Sequence, residues 1–122
     1  MKTPTPFVGR WRIESMELWD RDAFDLLGPA HFTFEEDGLG TFRFIAVEGQ
    51  IDCRFGSRDE KALVEFSWGG HDEADMASGR GWAVLDGDVL KGRIYIHLGD
   101  DSAFTAARDA TRPRVGSRRK RA

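Results

Sequence analysis

The sequence predicts an all-β chain, an eight-stranded up-and-down antiparallel barrel with one short helix after the first strand. Three observations carry that prediction. Apolar and polar residues alternate with period two over most of the 122 residues. Asp-Gly pairs and other turn residues interrupt the alternation at short intervals, as between hairpin strands. Consecutive hairpins favour an up-and-down barrel over a Greek key, because each strand can pair with its neighbour in sequence.

Each element follows from its own residues. Residues 9–18 form the first strand, with Trp11 and Ile13 opposite Arg10, Arg12 and Glu14. The phase then shifts to Met16 and Leu18, which predicts a bulge or bend near Ser15. Residues 20–27 are the helical stretch: Asp20 can cap it, Phe24 and Leu27 share a face, and Gly28-Pro29 ends it. Strand 31–36 turns Phe32 and Phe34 one way and reaches the Asp37-Gly38 hairpin. Strand 40–47 carries Phe42, Phe44 and Ala46, with a turn expected at Glu48-Gly49. Strand 50–56 alternates Ile51, Cys53 and Phe55 against Asp52 and Arg54, and a polar loop spans 57–61. Strand 62–68 points Ala62, Val64, Phe66 and Trp68 inward, followed by the longest expected loop, 69–79. Strand 80–86 runs through Trp82 and Val84 to an Asp86-Gly87 hairpin. Strand 89–98 turns Leu90, Gly92, Ile94, Ile96 and Leu98 inward, and strand 102–108 closes with Phe104, Ala106 and Arg108.

Composition bounds the function. A chain of 13.8 kDa fits one domain and can bury roughly two-thirds of its unfolded surface. Hydrophobic residues make up 40%, which excludes a wholly disordered chain. No apolar run approaches the ~18 residues of a membrane-spanning helix. The N-terminal residues carry no apolar signal segment, and a single cysteine excludes an internal disulfide, so a cytoplasmic protein is expected. Residues 1–110 hold 12 basic and 21 acidic side chains, and residues 111–122 hold six basic and no acidic ones. The acidic body repels phosphate backbones and argues against nucleic-acid binding by the domain. The barrel is therefore expected over 7–110, with a disordered basic tail over 111–122.

Few residues point to chemistry. His71-Asp72-Glu73-Ala74-Asp75 gathers one imidazole and three carboxylates, but its spacing fits neither an EF-hand nor a zinc motif. A solvated loop explains it. His97, Asp100, Asp101 and Ser102 hold the residue types of a catalytic triad without a nucleophile elbow, and an Asp-built turn explains them as well. Cys53 falls on an apolar face and reads as structural. Asp52 and Glu65 face outward and should pair with cations on adjacent strands. Phosphate-loop, dinucleotide and zinc patterns are lacking, so no cofactor or metal is expected.

Gly9-Arg10-Trp11 opens the first strand and Arg108 stands on the last. This pattern resembles the calycin superfamily, the lipocalin-like barrels, in which such a Trp and Arg pack together to close the barrel's base. The resemblance implies that role for Trp11 and Arg108, and a lid or plug for the 20–27 helix. The chain departs from secreted lipocalins: it is shorter and lacks a cysteine pair and the Thr-Asp-Tyr signature. The segments Val64-Glu65-Phe66-Ser67-Trp68 and Gly79-Arg80-Gly81-Trp82 make it similar to short bacterial proteins of this kind.

Three functional readings follow. The leading one is a small apolar or aromatic ligand held inside the barrel by Trp11, Phe34, Phe44, Phe66 and Trp82. Against it, the same rings can simply fill the interior. The second is a non-enzymatic interaction module, with its acidic outer face or its basic tail meeting a partner; a homodimer through strand edges at the barrel seam is also left open. The third is an isomerase or hydratase using His31 or His71 at the mouth.

Overall fold

The computed structural model describes residues 2–109. The basic tail expected over 111–122 and the domain limit at 110 lie outside the described residues. Eight strands succeed one another: β1 (Gly9–Met16), β2 (His31–Phe34), β3 (Leu39–Phe44), β4 (Val47–Arg58), β5 (Lys61–Asp72), β6 (Asp75–Asp86), β7 (Val89–Ile96) and β8 (Asp101–Arg108). Each pairs antiparallel with the next, and β1 pairs with β8, closing an eight-stranded up-and-down barrel. The seam edges, open in the sequence reading, are thus bonded to each other from Trp11↔Arg108 to Met16↔Phe104. The ladder slips between Ile13 and Ser15, which is the bulge that the phase shift predicts.

The expected helix is shorter than its sequence spacing suggests: α1 covers only Arg21–Phe24. Asp20 caps it by accepting from the Ala23 N–H. Asp25 then leaves the helical path. Its carboxylate accepts from Arg12 at 2.9 Å and from the Ala30 N–H at 2.9 Å, drawing the chain back toward the barrel wall. Leu27, expected beside buried Phe24, is 55% exposed.

Three expected turns also move. The turn after β3 lies at Ile45-Ala46, with Ile45 at φ 56°, and Glu48 and Gly49 belong to β4. Gly49 has a packing reason: a Cβ there would stand 2.5 Å from the Phe42 ring. The polar loop 57–61 contracts to Asp59-Glu60, both at positive φ, as a two-residue hairpin turn requires. The long loop 69–79 does not exist. β5 and β6 continue the ladder to Asp72↔Asp75 around Glu73-Ala74.

The interior is apolar and both ends are stopped. At the base, a 3₁₀ turn at Thr5–Phe7 inserts fully buried Phe7 against Phe34 and Phe55, with centroids 6.0 and 5.5 Å away. At the other end, α1 inserts buried Phe24, the Ile45 N–H donates to the Phe24 carbonyl, and Trp19 packs on Phe44 at 5.6 Å. Between them Phe32 contacts the rings of Phe34, Phe42, Phe66 and Phe104. Burial of each such ring is worth roughly 1.5–3 kcal/mol.

Candidate functional site

Four of the five predicted ligand residues lie inside this ring cluster. Trp11, Phe34, Phe44 and Phe66 are 0–4% exposed. Trp11 donates from Nε1 to the Phe7 carbonyl at 2.9 Å, and the Arg108 guanidinium stands 4.3 Å from its ring. Arg108 also donates to the Val8 and Pro6 carbonyls, tying the last strand to the segment that stops the base. These residues are engaged by one another, as close packing of an interior requires.

Trp82 is the exception, and its inward placement is corrected. It is half-buried on the outer face, in register with outward Glu65 and Arg93. The inward positions of β6 belong to Gly81 and Ala83. A Cβ on Gly81 would lie 2.5 Å from the Phe66 ring, so the bulky residues of this strand must face out. Val84 shares that outward face, and Leu98, also expected inside, is 95% exposed in a turn at φ 59°.

The outer face of β4 to β7 carries an open cleft of about 440 Å³ around Trp82, lined also by Asp52, Arg54, Glu65, Ser67, Arg80 and Tyr95. The Arg58 guanidinium covers the Trp82 ring at 4.4 Å, and that of Arg80 lies 5.5 Å from the Tyr95 ring. Asp52 faces outward, but its cation is Arg54 on its own strand, 2.7 Å away, and not one on an adjacent strand, and Glu65 makes no ion pair among the described residues. Trp82 and Tyr95 are diagonal neighbours across the β6–β7 ladder. Such diagonal neighbours lie roughly 7–8 Å apart, within reach of aromatic side chains. Nothing in the sequence marks Tyr95 and the arginines for binding, because outward alternating charge is the ordinary pattern of a solvated face.

A larger cleft, about 820 Å³, lies toward the other end of the same face, lined by His31, Arg43, Glu48, Gln50, His71 and Met76 among others. Burial, with Arg10 and Arg43 nearby, pushes His31 down from 6.5 to about 4, so its imidazole is neutral. His31 opens β2 and faces outward, and His71 donates from Nδ1 to the Glu73 carbonyl across the tight turn, 3.1 Å away.

The other chemical groups are accounted for structurally. Among the described residues, no three His, Cys, Asp or Glu side chains gather to hold a metal. Ser102 is fully buried, donating to the Ala103 carbonyl and accepting from the Leu18 N–H, whereas His97 is exposed. Asp101 is committed to Arg93. Burial, and then the Asp52 charge, push the Cys53 thiol up to about 12. No helix among the described residues is long and apolar enough to cross a membrane. The chain matches no family model, and no curated protein and no solved structure matches it.

Proposed function

We propose that this chain is a lipocalin-like member of the calycin superfamily, of the short bacterial kind, that binds a small planar aromatic or apolar molecule. The superfamily reading is supported by the up-and-down topology together with the Arg108–Trp11 stack. The ligand reading is moved from the interior to the outer Trp82 cleft. One observation carries it: Trp82 and Tyr95 flank a cleft as diagonal neighbours while the interior rings fill the barrel. A planar ligand there gains stacking on the indole by taking the place that the Arg58 guanidinium holds over it. The buried, single Cys53 supports a reducing compartment such as the cytoplasm.

Native mass spectrometry of protein purified gently from its source tests the reading. A small added mass that leaves on denaturation is expected in the wild-type protein and not in Trp82→Leu. An added mass kept by Trp82→Leu but lost in Phe34→Leu would return the ligand to the interior, and no added mass would overturn the binding role. A protein-interaction role is the alternative, supported by Met76 and Leu98, 94% and 95% exposed near one end of the barrel. Under it, the same spectra show a second polypeptide or a homodimer.

A further inference from the structure

His31 and Arg43, which both line this cleft, each carry a buried nitrogen without a hydrogen-bond partner, Nδ1 and Nε. Buried polar atoms are nearly always satisfied, so two orphans on residues of one cleft need an explanation. Three guanidinium groups surround His31. Arg10 is paired with Asp109 at 3.5 Å, and Arg12 with Asp25. Arg43 makes no ion pair or side-chain hydrogen bond among the described residues. It is nevertheless held in place. It passes over Gly28, where a Cβ would stand 2.9 Å from Nη2 and where φ is 122°, a backbone conformation that favours glycine.

We propose that this cleft is a carboxylate site, in which Arg43 takes both carboxylate oxygens and His31 Nδ1 donates to one of them. A guanidinium offers Nε–H and an Nη–H as a parallel fork that matches two carboxylate oxygens. The neutral imidazole adds a donor without adding charge. The charge balance selects the anion. Among the described residues Arg43 is the one Lys or Arg lining the cleft, and Glu48 stands directly across the β3–β4 ladder from it. Arg43 and Glu48 already cancel formally, so a bound monoanion leaves one net negative charge in the cleft and a phosphate dianion leaves two, which favours the monoanion. The cleft also includes exposed Met76 and half-buried Ala77, so the acid should carry an apolar body. This site is distinct from the Trp82 cleft and does not rest on the ligand proposed there.

Nuclear magnetic resonance of the full chain tests it, with sodium hexanoate as the probe and sodium chloride holding ionic strength constant. Hexanoate should shift the Arg43 Nε–H and the His31 ring signals saturably. Arg43→Lys, which keeps the charge but loses the fork, should bind about tenfold more weakly or worse. Glu48→Gln, an exposed substitution that should not disturb folding, should bind more tightly by several-fold. Shifts that never saturate, equal binding by Arg43→Lys, or Glu48→Gln binding no more tightly would each overturn the site. Tighter binding of inorganic phosphate than of hexanoate would overturn the carboxylate assignment.

Discussion

The Arg108 guanidinium lies 4.3 Å from the Trp11 ring, and the two residues are register partners across the β1–β8 seam. The stack therefore sits on the ladder that closes the barrel. Trp11→Ala removes a fully buried indole and its bond to the Phe7 carbonyl, and should cost about 3–5 kcal/mol in denaturant unfolding. Arg108→Ala should cost about 1–2 kcal/mol through the lost cation–π contact and carbonyl bonds. The double variant should lose less than the sum, because the pair is in contact. Strict additivity would mean that the stack does not hold the seam.

Gly81 faces the interior where the Phe66 ring leaves no space. Gly81→Ala places a methyl 2.5 Å from that ring and should destabilise by about 1–3 kcal/mol through overpacking. Phe66→Leu in the same chain should recover part of that loss by vacating the contact. An unchanged melting temperature for Gly81→Ala would show that the interior has room to spare at this point, and would reopen it to a ligand.

His31 gives the chain a pH dependence of defined sign. Its folded value of about 4 lies below its ordinary 6.5, so between those values the unfolded chain binds more protons. Stability should therefore fall as pH drops from about 6.5 to 4, without further loss from this group below that. Arg10, Arg12 and Arg43 reinforce the effect of burial, and Asp109 opposes it. At Asp25 burial raises the carboxyl, but hydrogen bonds from Arg12 and the Ala30 N–H outweigh it, so its contribution is lost only in more acid solution. Urea titrations at pH 7, 5.5 and 4.5 should show a slope in His31→Gln shallower than in the wild-type protein. Equal slopes would place His31 in solvent.

The topology and the bulge near Ser15 were legible in the sequence, because a period-two pattern states which face a residue takes; the pairing of Trp11 with Arg108 followed only from the resemblance to lipocalin-like barrels. The pattern failed where residue size and facing diverge. On β6 the large residues Trp82 and Val84 alternate with Gly81 and Ala83, and the larger set would ordinarily be inside. The rings of β5 already occupy that space, a fact held by Phe66 and not by β6 itself. Glycine misled in the same way: Gly49, Gly69 and Gly79 read as turn formers, whereas they lie within the β4, β5 and β6 ladders. The Arg43–His31 pairing needs the β2–β3 register and could not be read from spacing along the chain.

The opposite facing of Phe32 and Trp82 separates core from cleft by a direct comparison. Phe32 is 1% exposed and touches four other rings, so Phe32→Ala should cost about 3–5 kcal/mol. Trp82 is the larger side chain, yet it is half-buried on the outer face beneath the Arg58 guanidinium. Trp82→Ala opens no interior cavity and should cost only about 1 kcal/mol, the scale of an ordinary single substitution. Chemical denaturation of both variants reads the difference. A loss of 3 kcal/mol or more for Trp82→Ala, on the scale of a core truncation, would make the indole part of the core and remove the reason to regard its cleft as a binding surface. A small loss would leave a large aromatic ring at a cleft that folding does not require, free to be used by a ligand.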